Sequence, residues 1–331
     1  MRIAINGFGR IGRCLARILH ERKLAPGLEL VAINDLADFA VLAHLLQFDS
    51  THGHFGKPVA LKDNCLLIDN QPIRLLAERE LDKLPWGELG VDCVIDCSGK
   101  FKQRAQLAGH LAAGAKRVLA SHPVKDADLT VVYGVNHELL DRQQIISNAS
   151  CTTNCLAPLV QVLDQAFGVE QGMMTTIHAY TNDQNLVDKA HADPLRARAA
   201  AVSMIPTDTG AARAVGLVLP HLAGKLDGMA VRVPTLNVSM VDFHGLLKKD
   251  ASVETVHQAL REASAGHLAG ILQLNELPLV SCDFNHTTAS CTVDCAQTRL
   301  LKRQVKVMAW YDNEWGFSNR LADLLCYWQG L

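Results

Sequence analysis

The chain has 331 residues, with 32 Lys and Arg against 34 Asp and Glu and a formal net charge of −2 at pH 7. That length accommodates two domains with full hydrophobic cores, and the near-neutral balance argues against an electrostatically driven nucleic-acid binder. No apolar run approaches the roughly 18 residues needed to span a bilayer, and no secretory leader pattern is read, so no membrane partner is expected. In chain order, Arg2-Ile3-Ala4-Ile5-Asn6 predicts a short apolar strand. Gly7-Phe8-Gly9-Arg10-Ile11-Gly12 follows at once, and Arg13 to Glu21 continues as a helix with Leu15, Ile18 and Leu19 on its apolar side. Strand, G-x-G-x-x-G and helix in that order form a dinucleotide-binding turn: Gly7 permits the bend, Gly9 lets backbone approach a pyrophosphate, and Gly12 allows close packing of helix on strand. The next strand, Leu28 to Ile33, ends in Asn34-Asp35. Asp35 stands about twenty positions past the glycines, where a carboxylate accepts from ribose hydroxyls and disfavours a 2′-phosphate, hence NAD over NADP.

Lys57 to Pro72 reads as an antiparallel excursion with a turn at Asp69-Asn70. Strands are predicted at Val91 to Asp96, Arg117 to Ala120 and Val131 to Val135, with a helix over Gln103 to Ala113. Asp92 to Gly99 has the form of a buried parallel strand running into a small-residue turn, where ligands sit in doubly wound sheets. Residues 147 to 155 then read Ser-Asn-Ala-Ser-Cys-Thr-Thr-Asn-Cys, between a strand end at Ile145-Ile146 and a helical pattern from Leu156 to Leu163. A cysteine at a helix start meets free N–H groups and a positive dipole end, which favour thiolate, and the hydroxyls around Cys151 can hold an anion. A buried structural cysteine is the plain alternative.

The second half changes character. Strands with polar alternation are predicted at Met173 to Tyr180, Met229 to Pro234, Asn237 to Leu247 and Val305 to Tyr311, giving a mostly antiparallel sheet open on one face. Helices are predicted at Gly210 to Leu219, Val253 to Ser264 and Ser318 to Trp328. The expected architecture is α/β: a nucleotide-binding domain over residues 1–150, an α+β domain over 151–315, and a C-terminal helix, 316–331, returning to the first domain. His178 lies at a polar strand end and is the candidate partner for Cys151, forming a thiolate–imidazolium pair and then donating or accepting the substrate's proton; a satisfied core histidine is the alternative. The pairs Cys93/Cys97, Cys151/Cys155 and Cys291/Cys295 are each one residue too long for a Cys-x-x-Cys site, so no metal is expected and the ten cysteines read as reduced thiols of a cytoplasmic enzyme.

Several stretches in order carry a resemblance to one family: Ile5 to Arg13, Ser147 to Asn154, His178-Ala179-Tyr180-Thr181-Asn182-Asp183, Pro206 to Ala212, Met229 to Pro234 and Trp310-Tyr311-Asp312-Asn313-Glu314. Along essentially its whole length the chain resembles phosphorylating glyceraldehyde-3-phosphate dehydrogenase. The resemblance implies an N-terminal Rossmann domain, a catalytic domain, a homotetramer, and oxidation of an aldehyde phosphate to an acyl phosphate with reduction of NAD. Cys151 would be the nucleophile and His178 the base. Thr181, Asp183 and Arg232 would belong to the substrate-phosphate site, and Ser150, Thr152, Thr209 and Gly210 to the inorganic-phosphate site, with Arg196 nearby. Gly7, Gly9, Arg10, Ile11, Asp35, Arg79, Ser98, Ser121 and Asn313 would surround NAD.

Two departures stand out. Lys189-Ala190 occupies the place where many NAD-specific relatives carry Leu-Pro, and Lys189 could compensate a 2′-phosphate. Ala120-Ser121-His122-Pro123 and Leu84 to Asp92 look like the sister family, erythrose-4-phosphate dehydrogenase, whereas Thr181 and Thr209-Gly210 match the triose-phosphate pattern. A cysteine peptidase or acyltransferase would also use Cys151 and His178 but has no need of the glycine turn and Asp35. A non-catalytic NAD-binding redox sensor would not need His178, Arg232 and both threonines. Cys155, one helical turn after Cys151, is either a packing residue or a resolving thiol.

Overall fold

The N-terminal half contains β1 (Arg2–Asn6), α1 (Arg10–Glu21), β2 (Glu29–Asn34), α2 (Phe39–Gln47), the short β3 (Phe48–Asp49) and β4 (Gly53–His54), and β5 (Val59–Lys62), β6 (Cys65–Ile68) and β7 (Gln71–Leu76). It continues with β8 (Cys93–Asp96), α3 (Arg104–Ala112), β9 (Arg117–Ala120), β10 (Leu129–Thr130) and β11 (Ile145–Ser147). The structure is a computed structural model describing residues 1–22, 24 and 27–331. The chain clusters into two compact units, one of residues 1–131, 137–149 and 318–331, the other of 132–136 and 150–317.

In the first unit a nine-stranded sheet runs β10-β11-β9-β8-β1-β2-β7-β6-β5. It is parallel from β10 to β7 because its core strands, β1, β2 and β8, are apolar and buried almost throughout, as strands covered on both faces must be. β5 and β6 are antiparallel, and the turns that reverse the chain are Asp63-Asn64 and Asp69-Asn70, with φ of +48, +58, +52 and +65°. Successive left-handed residues make the two-residue hairpin turn for which Asn and Asp are favoured. Parallel register sets Asn6 opposite both Asn34 and Asp96, so three polar residues end three neighbouring strands at the carboxyl edge. Residues 131–135, predicted as a strand, instead form a turn: Val132 N–H donates to Asn136 Oδ1 and Val135 N–H to Val132 O. Local side-chain-to-backbone bonding there outcompetes the ladder. Residues 318–331 belong to this unit, tied in by Arg22 to Asp323 at 2.9 Å and by the Arg117 guanidinium 5.0 Å over the fully buried Trp328 ring.

The second unit contains α4 (Cys151–Phe167), β12 (Val169–Ala179), β13 (Ile205–Asp208), α5 (Ala211–Val218), β14 (Leu226–Val233), β15 (Ser239–Leu247), α6 (Val253–Ala265), β16 (Leu272–Asn275), β17 (Cys291–Asp294), β18 (Arg299–Leu301), β19 (Gln304–Tyr311) and the start of α7 (Trp315–Gln329). Its eight-stranded sheet runs β13-β14-β12-β15-β19-β17-β16, with β18 on β19; the β12–β14 and β16–β17 pairs are parallel and the rest antiparallel. Alternation decides the faces. Val241, Phe243, Val305, Val307 and Ala309 are buried on one side, whereas Met173 and Met229 stay 61% and 41% exposed. No described helix is long and apolar enough to cross a membrane.

Candidate active site

Cys151 is the first residue of α4, and Ser150 is its N-cap: the Ser150 hydroxyl accepts from Thr153 N–H at 3.1 Å. Ala149, just before, has φ of +56°, a left-handed conformation that costs a non-glycine residue energy and makes a sharp entry into the helix. The Thr152 hydroxyl turns into the core and bonds Tyr311 Oη at 2.8 Å, and Thr176 Oγ1 reaches the same phenol at 2.8 Å. Two β-branched hydroxyls on different elements thus share one buried tyrosine, which fixes α4 against β12 and β19.

The parallel register of β12 on β14 pairs His178 with Arg232. His178 Nε2 lies 3.6 Å from Cys151 Sγ. Its Nδ1 is 2.7 Å from Ala179 O and 3.0 Å from Arg232 Nη1. A carbonyl only accepts and a guanidinium only donates, so the two contacts demand opposite tautomers. Arg232 Nη1 has Ala179 O at 3.0 Å and Thr181 Oγ1 at 3.5 Å for its two protons. The shorter bond therefore wins: Nδ1–H donates to Ala179 O, and Nε2 presents a lone pair to the sulfur. Burial, and then the Arg232 charge, pull the His178 imidazole down to about 3, so it is neutral at physiological pH. Burial pushes the Cys151 thiol up, partly opposed by Arg232 and the Thr152 hydroxyl. The pair is thus thiol and neutral imidazole, a nucleophile beside a base, rather than an ion pair, because burial disfavours both charges and Arg232 further disfavours a second cation next to it.

Around this pair the other sequence candidates fall into two groups. Arg196 binds Asp183 and donates from Nε to Thr207 Oγ1 at 3.0 Å, and Asp193 accepts from that hydroxyl at 2.7 Å. The Asp183 carboxylate, an acceptor only, is engaged by Arg196. The N-termini of α4 and α5 meet where Thr153 Oγ1 donates to Ala211 O at 3.3 Å; Gly210 is the N-cap of α5, and Thr209 Oγ1, just before it, accepts from Ala211 N–H at 3.2 Å. At Gly210 a Cβ would find nothing within 4 Å, so its backbone faces open space. Converging helix starts, Arg232 and Arg196 bring positive charge and N–H donors of the kind that can hold an anion. Burial pushes the Cys155 thiol well up, and neighbouring Cys291 adds to it, which suits a packing residue more than a reactive one.

The profile of the glyceraldehyde 3-phosphate dehydrogenase C-terminal domain matches residues 150–313, and that of the same family's NAD binding domain matches residues 1–104. The chain belongs to the glyceraldehyde 3-phosphate dehydrogenase family. It is 56% identical to the glyceraldehyde-3-phosphate dehydrogenase of Pseudomonas aeruginosa over 324 residues, covering 98% of this chain and 96% of that one. It is 51% identical to that of Geobacillus stearothermophilus over 330 residues, covering 99% and 98%, and 53% identical to the chromosomal enzyme of Cupriavidus necator, covering 98% and 97%. Members of this family are NAD-dependent dehydrogenases, and the first unit fits that cofactor.

Gly7 has φ of +93° and a Cβ there would lie 2.6 Å from Ser98 N, while a Cβ on Gly12 would lie 2.3 Å from Gly7 O. Both are glycine because backbone occupies the space. Gly9 differs: it caps α1 without a side chain, and a Cβ would meet nothing within 4 Å. That open approach to a helix start is what a pyrophosphate needs. A cleft of about 370 Å³ beside it is lined by Gly7, Gly9, Asn34, Asp35, Arg79 and Ser98. Asp35 accepts from Phe8 N–H at 2.7 Å and from Ala37 N–H at 3.0 Å, which aims its carboxylate. Arg10, Ile11 and Ser121 do not line that cleft. The Arg10 guanidinium forks onto Asp49, and against the upward push of burial it holds that carboxyl well below its usual range. In the second unit Asn313 Oδ1 accepts from Ser239 Oγ at 2.8 Å.

Sequence reasoning missed Tyr311, Ser239 and a buried network in the first unit. There Trp86 Nε1–H donates to His110 Nδ1 at 3.0 Å, and His110 Nε2 lies 3.3 Å from Asp96 Oδ2. Asn6 Nδ2 reaches the same carboxylate at 2.7 Å, and Ser98 Oγ its other oxygen at 2.8 Å. Burial raises Asp96, but His110 and Asn6 more than offset it and the carboxyl is lowered. Strand alternation placing Tyr311 inward was the one available signal. His110 lies on a helix remote in sequence from β1, so nothing local announces the network.

Proposed function

We infer that the protein oxidises D-glyceraldehyde 3-phosphate to 1,3-bisphosphoglycerate, with inorganic phosphate and NAD, through a thioester on Cys151. The observation that carries this reading is Cys151 Sγ at 3.6 Å from an imidazole nitrogen whose ring partner is held by Ala179 O. Sγ attacks the aldehyde carbon, and the thiol proton reaches the former carbonyl oxygen by way of His178, giving a hemithioacetal. His178 Nε2 then takes the hydroxyl proton as the carbon–hydrogen electron pair departs as hydride. A neutral imidazole is the form this step requires, and a placed base is worth a factor of about 10² to 10⁴. NAD supplies the hydride acceptor; Gly7, Gly9, Arg10, Ile11, Asp35, Arg79, Ser98 and Ser121 are assigned to its nucleotide part and Asn313 to the carboxamide. A phosphate oxygen attacks the thioester, the carbon–sulfur bond breaks, and Sγ recovers its proton from His178.

Arg232 and Thr181 are assigned to the substrate phosphate, with Asp183 acting by holding Arg196. Ser150, Thr152, Thr209, Gly210 and Arg196 are assigned to the incoming phosphate. The Thr152 and Ser150 hydroxyls are already engaged with Tyr311 and Thr153, so their part is to shape the helix start. Lys189 is exposed on the segment between β12 and β13, and Asp35 supports NAD over NADP. In the same segment Leu186, Val202 and Met204 are 81%, 81% and 76% exposed, which supports a surface covered by another copy of the chain; the assembly proposed is a homotetramer, and the location proposed is the cytoplasm. Light scattering giving four times 36.1 kDa would be the expected result.

The test is NADH formation with glyceraldehyde 3-phosphate, with and without inorganic phosphate, and with erythrose 4-phosphate in parallel. Turnover of the triose that depends on phosphate is expected. Preference for the tetrose, indifferent to phosphate, would overturn the reading.

A further inference from the structure

Ser239 is the first residue of β15, is 1% exposed, and stands in register with Tyr311. Its hydroxyl joins two parts of the second unit. It accepts from Ala179 N–H at 3.0 Å, in the peptide that links Ala179 to His178, and donates to Asn313 Oδ1 at 2.8 Å. The backbone carrying Asn313 is pinned as well: Asp312 Oδ1 accepts from Glu314 and Trp315 N–H at 2.9 and 2.7 Å, and Oδ2 from His286 N–H at 2.7 Å. Asn313 is 7% exposed, so its main chain and one end of its amide are set before any ligand arrives.

We propose that Ser239 is a positioning residue that fixes which end of Asn313 meets its ligand: the hydroxyl bond turns Oδ1 towards Ser239 and leaves the NH2 to be presented, so the group it selects is a carbonyl oxygen. This rests on the reading that Asn313 meets the nicotinamide carboxamide, and it adds which end of that carboxamide is read. It also couples cofactor recognition to the base, because the same hydroxyl holds the peptide next to His178. A free asparagine side chain can rotate to offer either end. Ser239 removes that choice, and the ordering cost is met on folding rather than on binding.

Calorimetric binding of NAD, ADP-ribose, 3-acetylpyridine adenine dinucleotide and pyridine adenine dinucleotide tests it without turnover. ADP-ribose has no nicotinamide; the acetyl compound keeps the carbonyl oxygen and loses the amide nitrogen; the pyridine compound has neither. For the unaltered protein the acetyl compound should bind within about threefold of NAD and the pyridine compound about tenfold more weakly, the scale of one lost hydrogen bond. Ser239→Ala should weaken NAD by about tenfold and leave ADP-ribose unchanged, with Ser239→Thr, which keeps the hydroxyl, restoring NAD affinity. Equal weakening of NAD and ADP-ribose by Ser239→Ala would reduce the residue to a structural role and overturn the proposal. So would an acetyl compound as weak as the pyridine one, a result that needs no variant. Failure of the unaltered protein to bind ADP-ribose or NAD at all would instead sink the cofactor assignment on which the proposal stands.

Discussion

The two units prepare for their ligands by opposite means. The first leaves things out: Gly9 has no side chain and a Cβ there would meet nothing within 4 Å, Gly7 and Gly12 are glycine because backbone fills the space, and the polar strand ends Asn6 and Asn34 line the cleft. The second puts large reactive groups in, with Cys151 at a helix start and His178 and Arg232 side by side in one register. Backbone recognition suits a pyrophosphate, which needs N–H groups and close approach. Bond-making needs a nucleophile, a base and charge at set distances, which only side chains provide. Variants at Cys151, His178 and Arg232 should therefore remove chemistry and spare cofactor binding, whereas variants at the glycine turn should lower stability and cofactor affinity together.

The largest effect tests that division directly. Cys151→Ser should cut turnover by about 10³-fold or more while the dissociation constant for NAD, measured by titration calorimetry, stays where it was. Joint loss of both would erase the contrast. His178→Gln should lower kcat by about 10² to 10⁴ with little change in NAD affinity. Arg232→Lys keeps the charge but not the planar fork, so kcat/KM for the aldehyde phosphate should fall by about 10 to 100-fold, read from initial rates.

Smaller effects probe the first unit. Gly12→Ala would place a Cβ 2.3 Å from Gly7 O, a backbone atom with no flexible end to move. A loss of about 2 kcal/mol in denaturant unfolding is expected, with weakened NAD binding. His110→Ala would leave both Trp86 Nε1 and the Asp96 carboxylate short of a partner, costing about 1–3 kcal/mol. An unchanged unfolding midpoint would mean that water replaces the ring. The imidazole of His178 also makes a pH prediction. In the folded protein it titrates near 3, against 6.5 in the unfolded chain, so below about 6.5 the unfolded state binds a proton that the folded state does not. Stability should be unaffected by this residue above that pH and should fall as pH drops from 6.5 towards 3. His178→Gln should flatten that slope in midpoints measured at pH 7 and pH 5.

How much was legible follows from the range of each interaction. The glycine turn, Asp35 and the Ser150-Cys151 helix start could be read directly, because each is a local conformational demand met by consecutive residues. Turn chemistry was legible at Asp69-Asn70 for the same reason, although the matching turn at Asp63-Asn64 went unread. The strand expected at residues 131–135 was misread because its apolar composition suits a strand while Asn136 reaches back to cap a turn.

By itself, then, the order of residues determined two sheets of different kind, a nucleotide-binding turn and a cysteine at a helix start, since periodicity and backbone preference act over a few residues. Only the tertiary structure decided which nitrogen of His178 faces the sulfur, that burial and then Arg232 keep that imidazole neutral, that Asp183 pairs with Arg196, and that Ser239 holds Asn313. The contacts of His178 with Cys151 and Arg232 and of Ser239 with Asn313 join residues 27, 54 and 74 positions apart, and Asp183 meets Arg196 across 13 residues of the segment between β12 and β13. Distance and burial there, rather than residue type, set the protonation state and the direction of each hydrogen bond.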